Sequence, residues 1–311
     1  MKAVRIHSYG GPEVLTVEEA PRRAPRAGEV LVQVHASSVN LFDIGVREGY
    51  MHPYFNYTLP LVMGTDLSGV VEEVGEGVSG WEPGDEVYTR AGVFLVGGQA
   101  EYVRVPAANL ARKPTSVGHL PAAALPHVSL AAWYALIDVA DLSEGQTVLI
   151  HGSAGGVGHI AAQLAHVRGA KVIGTASFNL PLLLELGLDE AIDYSSVPFD
   201  EAVKDVDVVL DLIGGETQER SWKVLKPGGI LVTSQTMPAS QEVAEAHGVR
   251  AGHVNNIPPM GATLTELAAL VGAGKIKPHV SPVLPREEIR KGHELIASGH
   301  TAGKIAIQVV P

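Results

Sequence analysis

Thr147-Val-Leu-Ile-His-Gly-Ser-Ala-Gly-Gly-Val-Gly158 is the stretch that decides the fold. Thr147 to Ile150 is a short apolar run, the mark of a strand covered on both faces, and Ile160 to Val167 resumes at helical spacing. Between them stand Gly152, Gly155, Gly156 and Gly158. Strand, glycine turn and helix start in that order read as a dinucleotide cradle. A pyrophosphate needs backbone N–H groups at close range and the positive end of a helix dipole, and side chains on the turn block that approach. The hexapeptide aligned with the G-x-G-x-x-G fingerprint is Ser153-Ala154-Gly155-Gly156-Val157-Gly158, so a serine stands where the first glycine is usual. The context supports the fingerprint, because Gly169 to Ser177 follows as a second strand and completes a βαβ unit. The turn of some other α/β enzyme is the competing reading.

The end of the second strand bears on which dinucleotide fits. A carboxylate there would hold the ribose hydroxyls of NAD and repel a 2′-phosphate. The strand ends Thr175-Ala-Ser177-Phe178-Asn179 instead, with hydroxyl and amide groups that donate to phosphate oxygens without adding negative charge. NADP(H) is the expected coenzyme, although no Lys or Arg sits beside these groups; the plainer alternative is an ordinary polar strand end. Leu212, Ile213 and Gly214, and Ser234, at the ends of two later strands, complete the candidate cofactor-binding set.

At 311 residues the chain exceeds one ordinary core, and two domains are expected. Hydrophobic residues at 46% and charged residues at 18% suit a packed globular protein. A formal charge of −11 argues against nucleic acid or an anionic membrane as partner, since both reward clustered Lys and Arg. With no cysteine, the chain has no disulfide, no thiolate nucleophile and no zinc site built on sulfur. No signal-like or membrane-spanning apolar run is present, so a cytoplasmic location is expected.

Residues 1 to about 122 read as a β-rich domain. Val4–His7, Leu15–Glu18, Glu29–His35, Pro60–Gly75, Val78–Tyr88 and Ala100–Val105 alternate or run apolar between Gly and Pro breaks, which implies a barrel-like sheet. From about Pro121 the period changes from two to 3.6, and helix is expected over Ala122–Pro126 and Leu130–Ala140. Strands at Ala191–Tyr194, Asp207–Ile213 and Gly229–Ser234 then alternate with helices at Pro181–Leu188 and Thr217–Leu225, as in a doubly wound parallel sheet. A helix at Leu264–Val271 and a strand at Lys304–Val310 follow, and by themselves fit either domain.

Val39-Asn40-Leu-Phe-Asp43, Gly64 to Gly75, Trp81 to Val87, Ser153 to Gly158, Leu225 to Gly229 and His300 to Lys304 together resemble the medium-chain dehydrogenase/reductase superfamily, and within it the zinc-free quinone oxidoreductase (zeta-crystallin-like) group. The resemblance spans nearly the whole chain. It implies an α/β fold: a GroES-like β-rich catalytic domain (residues 1–122 and 263–311) around an inserted Rossmann domain with a doubly wound parallel sheet (residues 123–262). It also implies a homodimer formed by pairing edge strands of the nucleotide domains. Zinc relatives bind metal through an early cysteine and a Gly-His-Glu segment; Asn40 lies near the first position and Gly64-Thr65-Asp66 replaces the second, so no catalytic zinc is expected. Without that Lewis acid, simple alcohol oxidation is disfavoured, and quinones or activated alkenes become the expected hydride acceptors.

The implied activity is NADPH-dependent transfer of hydride to a quinone or an α,β-unsaturated carbonyl, with a proton from solvent. Asn40 is the candidate for orienting nicotinamide or substrate, with Asp43 supporting its loop; a structural Asx turn is the alternative for both. Tyr50, with His52 and Tyr54, lies in an aromatic stretch that the resemblance places near substrate, where a loop packing on its own domain is the plainer reading. His127 and His253 are expected to be structural. The resemblance carries Ser177 and Tyr194 onto positions that contact the 2′-phosphate, and Lys304 onto a basic position that approaches the cofactor. Phe178 and Asn179 stand where relatives often have Lys or Arg, and Ala131 where a threonine is common, so weaker NADPH affinity or competition by NADH is expected. The alternatives are an NADP(H)-binding scaffold or sensor with little turnover, and a zinc-independent enzyme for another substrate.

Overall fold

Apolar residues at alternate positions carry the first part of the chain into sheets. In the computed structural model, which describes residues 1–91, 96–235, 237–254 and 260–310, strands β1 (Lys2–Ile6), β2 (Thr16–Glu19), β3 (Glu29–Val39), β4 (Leu61–Val62), β5 (Asp66–Val74), β6 (Glu86–Arg90), β7 (Tyr102–Pro106) and β8 (Ala111–Arg112) come first. Helices α1 (Leu41–Arg47), α2 (His52–Phe55) and α3 (His119–Ala123) interrupt and follow them. After α4 (Pro126–Trp133) the chain alternates: β9 (Thr147–His151), α5 (Gly156–Val167), β10 (Lys171–Ala176), α6 (Leu180–Glu185), β11 (Glu190–Asp193), α7 (Phe199–Ala202), β12 (Val206–Asp211), α8 (Gly215–Ser221), β13 (Leu225–Thr233), α9 (Gln241–Ala246) and β14 (Arg250–His253). Helix α10 (Gly261–Gly272), β15 (Val280–Pro285), α11 (Ile289–Ala297) and β16 (Lys304–Gln308) complete it.

The chain divides into two units. One comprises Met1–His127, Pro259–Gly274 and Pro278–Pro311, the other Val128–Pro258 and Lys275–Lys277. In the first, β3 is the hub of a seven-stranded sheet ordered β15-β16-β3-β5-β6-β8, with β7 also paired to β3; β2-β1-β4 form a small second sheet. Val30, Val32 and Val34 of β3 pack with Leu67, Val71, Val87, Val103 and Val105, while Val39, Ile305 and Ile307 join a cluster with Val4, Ile6 and Met63. Strand β3 runs past its expected end at His35. Ser37 Oγ donates to the Asp66 carbonyl (2.6 Å) and Ser38 Oγ to Asp66 Oδ2 (2.7 Å), so buried serines extend a strand whose hydrophobic pattern has stopped.

The second unit is a six-stranded parallel sheet ordered β11-β10-β9-β12-β13-β14. The strand order reverses between β9 and β12, and in such sheets ligands bind beyond the carboxyl ends of the strands at that switch point. Those ends are His151 and Asp211. Strand β12 is buried along its whole length, as the run Val206 to Leu210 requires of a strand covered on both faces. The fold is therefore the expected α/β combination, a GroES-like unit and a Rossmann-like unit with a parallel sheet. Helix α4 gives way to a π-helical turn at Tyr134–Val139 where one continuous α-helix to Ala140 was expected.

Candidate active site

The glycine turn closes where the fingerprint places it. Gly152 takes φ +69°, a conformation that disfavours side chains, and Gly155 is the N-cap of α5. A Cβ at 158 would collide with the Gly152 carbonyl oxygen and come within 2.6 Å of Ser153 Cα, so the helix can approach the strand this closely only as glycine. Ala154, Gly155, Gly156 and Val157 form the rest of the turn and the first turn of α5, where unbonded amides and the helix dipole favour an anion.

Ser153 behaves differently from its neighbours. It is wholly buried, and both its N–H (3.1 Å) and its hydroxyl (3.0 Å) donate to the Thr175 carbonyl of β10. At the ends of β10 and β11, Ser177 Oγ donates to the exposed Tyr194 hydroxyl at 3.0 Å. The carboxylate nearest in sequence, Asp193, accepts from Ser195 and Ser196, and these bonds hold it below the ordinary carboxylate range.

Across the switch point, the buried Asp211 carboxylate accepts from the N–H groups of Ile213 (3.0 Å) and Gly214 (2.8 Å) and from Gln218 Nε2 (2.8 Å). Gln235 Nε2 donates to the Leu212 carbonyl (2.7 Å), and Ser234 N–H reaches the Asp211 carbonyl (3.4 Å). Ile213 is left exposed beside Gly152. The structure thus brings Leu212, Ile213, Gly214 and Ser234 into one bonded turn. Asp211 and Gln235 were missed by sequence reasoning; a lone Asp closing an apolar strand was the available signal.

In the other unit Asn40 caps α1, with the Asp43 carboxyl accepting the Asn40 N–H at 2.9 Å. The local turn expected as the alternative is present, and the residues around it are charged and buried. Asn40 Nδ2 reaches Thr65 Oγ1 (3.1 Å), Asp66 Oδ2 (3.0 Å) and Asp43 Oδ2 (3.4 Å), while Lys304 Nζ donates to Asn40 Oδ1 (2.5 Å) and to the Val39 carbonyl (2.9 Å). Lys304 also pairs with Asp66 at 3.7 Å. Both ends of the Asn40 amide are thus engaged inside the unit. Lys304 is 2% exposed and beside Asn40, and burial lowers its pKa. Burial, and then the neighbouring Asp66 charge, push the Asp43 carboxyl up to about 7. Burial and the nearby Arg90 and Lys304 charges keep the His127 ring neutral, and the His127 backbone N–H donates to Asp66 Oδ1 at 2.9 Å.

Tyr50 and Tyr54 stand 66% exposed around α2, whereas His52 Nδ1 lies 3.0 Å from the Tyr9 hydroxyl. His253 Nε2 bonds the Gln235 carbonyl oxygen at 2.7 Å. Thr65 and Asp66 entered the sequence reading only as replacements of metal ligands. Among the described residues no group of three or more His, Cys, Asp or Glu is placed to hold a metal ion, and no helix is long and apolar enough to cross a membrane.

Comparison with known proteins agrees with this layout. The alcohol dehydrogenase GroES-like domain family matches residues 26–115, and the family described as zinc-binding dehydrogenase matches residues 186–307. The mitochondrial NAD(P)H oxidoreductase RTN4IP1 of Danio rerio is 31% identical, covering 100% of this chain and 92% of the relative. Among solved structures, the quinone oxidoreductase of Coxiella burnetii superposes with a TM-score of 0.94 at 35% identity, covering 100% of this chain and 99% of that one. The Escherichia coli quinone oxidoreductase, solved with NADPH, gives a TM-score of 0.88 at 27% identity, covering 99% and 100%.

Proposed function

The chain belongs to the quinone oxidoreductase group of the medium-chain dehydrogenase/reductase superfamily, and we propose that within it the protein is an NADPH-dependent reductase of quinones or α,β-unsaturated carbonyls that works without zinc. The observation that carries the reading is the glycine turn at the switch point, where the missing Cβ of Gly158 lets α5 start hard against the Gly152–Ser153 backbone and so puts its open N-terminal amides and dipole at the strand end. Gly156 and Val157 would bind the phosphates through their N–H groups, while the Gly155 N–H closes the turn on the Gly152 carbonyl, and Ser177 with Tyr194 would donate to a 2′-phosphate. Leu212–Gly214 and Ser234 would line the rest. The bound nicotinamide supplies the hydride.

The substrate class proposed rests on the charges around Asn40. The ammonium beside Asn40, Lys304, is already committed to Val39, Asn40 and Asp66. In this metal-free reading, acceptors that delocalise the incoming charge would react most easily. Asn40 and Asp43 would fix the start of α1, with Lys304 acting on Asn40, and the exposed Tyr50 would offer a flat face to a planar acceptor. The proton on the reduced product comes from solvent. The open edge strand β14 is the surface on which a second copy would pair.

The test is oxidation of NADPH, against NADH, with 1,4-benzoquinone, menadione and 3-buten-2-one, before and after dialysis against a chelator. Turnover with NADPH that survives the chelator is expected. Binding of NADPH without turnover on any acceptor would instead indicate a scaffold or sensor, and loss of activity restored by zinc would overturn the metal-free reading.

A further inference from the structure

Behind the glycine turn runs a line of buried neutral hydrogen bonds whose hydrogens can all be placed. Ser221 Oγ donates to the Thr217 carbonyl of α8 at 2.6 Å, which commits its only hydrogen. The His151 Nε2 atom, 2.9 Å from Ser221 Oγ, must therefore carry the proton and donate. His151 Nδ1 is then bare and accepts from Thr175 Oγ1 at 3.0 Å. The carbonyl of the same Thr175 receives the two bonds from Ser153. His151 is 1% exposed and packs edge-on against Phe199 (ring centroids 4.5 Å apart), and burial lowers its pKa to about 4, so the ring stays neutral near pH 7.

We propose that His151 is a positioning residue for the dinucleotide, holding through Thr175 and Ser153 the 152–155 turn in the shape that sets the start of α5, whose open amides then meet a pyrophosphate. The inference rests on the coenzyme reading above. Glycine is the most expensive residue to order, and a turn rich in it charges that entropy to any ligand that must arrange it. Here the ordering is done by the fold. Because position 153 is a buried serine rather than an exposed glycine, its side chain does not meet the ligand and reaches backward into the sheet. Room for it comes from Gly174, where a Cβ would stand 2.7 Å from Ser153 Oγ and 2.9 Å from Ser153 Cβ. The serine in the fingerprint and the glycine in the next strand form one fitted pair. The chain ends on α8, directly after the Leu212–Gly214 turn, so one set of bonds ties together both turns at the switch point.

The experiment titrates NADP⁺ and NADPH calorimetrically into wild type, Thr175→Val, Thr175→Ser and His151→Phe, with kcat read at saturating NADPH. Thr175→Val keeps the shape and loses the hydroxyl that fixes His151; Thr175→Ser keeps the hydroxyl and serves as the rescue. Both Thr175→Val and His151→Phe should raise the Kd on the order of tenfold, about the factor of one hydrogen bond, with kcat within about twofold and Thr175→Ser like wild type. Thr175→Val does not depend on His151→Phe folding. A folded Thr175→Val protein that binds within twofold of wild type overturns the proposal, and so does an equal loss in Thr175→Ser, which would mark packing rather than the hydroxyl. Wild-type protein that binds neither NADP(H) nor NADH overturns the coenzyme reading itself, and this inference falls with it.

Discussion

Around Asn40 the buried polar groups are ions: Lys304 against Asp66, with Asp43 and Arg90 close enough to feel one another's charge. The bonds through His151 are neutral, a line of hydroxyls, an imidazole and two carbonyls, with the Asp211 and Arg220 charges outside that line. Both sit at the ends of strands and both are almost closed to solvent. Removing the partner of a buried charge costs about 3–5 kcal/mol, while a buried neutral donor or acceptor left unpaired costs about 1–3 kcal/mol. The first region should therefore be brittle and pH-sensitive, and the second tolerant, with its losses appearing in coenzyme affinity.

The largest break is Lys304→Met, which leaves Asp66 buried without its counter-ion; it should cost about 3–5 kcal/mol in denaturant unfolding at pH 7. A loss below about 1 kcal/mol would remove the contrast. Next is Gly158→Ala in the neutral region, where the added methyl meets backbone that cannot step aside. About 1–3 kcal/mol of stability should go, together with at least ~10-fold in NADPH affinity. Asp43→Asn tests the pH difference. The folded-state pKa of Asp43, about 7, lies above its ordinary 3.8, so between those values the folded protein holds more protons than the unfolded chain. Stability from this group is therefore greatest at low pH and falls as pH rises through 7. His151 works the other way. Its folded pKa of about 4 lies below 6.5, so stability falls as pH drops from 6.5 towards 4 and is level above. Urea melts at pH 5.5 and 8 should show Asp43→Asn gaining on wild type at pH 8, and His151→Phe shifting only the acid side. The smallest effect belongs to neither region: Arg112→Ala breaks an exposed pair with Asp85 and should change stability by less than about 1 kcal/mol.

Legibility in the sequence followed the same division. The neutral region lies behind Thr147–Gly158, where period, glycine and strand order all point one way, and β9, α5, β10 and the turn could be read directly. Its inner bonds could not, because nothing in the local pattern pairs His151 with Ser221 across the sheet. The charged region was legible only in part. Asn40 and Asp43 stand three apart before an apolar stretch, the spacing of a helix cap, but the preceding Ser37 and Ser38 look like a strand ending. The resemblance places Lys304 near the cofactor, but the sequence does not show that Asp66 and Asn40 meet it from strand β5 and the start of α1. Strand β15 went unrecognised since Pro282 and Pro285 suggest a break; it is tolerated as an edge strand that, among the described residues, pairs only with β16. In α11, Gly292 and the charged residues around it blurred a helix that tertiary packing secures through Ile289 and His293.

Strand β16 closes the first unit from inside: it lies between β15 and β3, so two edges wait for it. On a ribosome, β3 and β5 emerge long before it, while every strand of the Rossmann-like sheet is made in between. The nucleotide-binding sheet can thus complete its pairing before β16 is made, whereas the GroES-like sheet keeps a bare flank on β3 until β16 emerges. Chaperone dependence of newly made protein should accordingly track the exposure of that flank, and a chain stalled before Lys304 should present an aggregation-prone half beside a finished one.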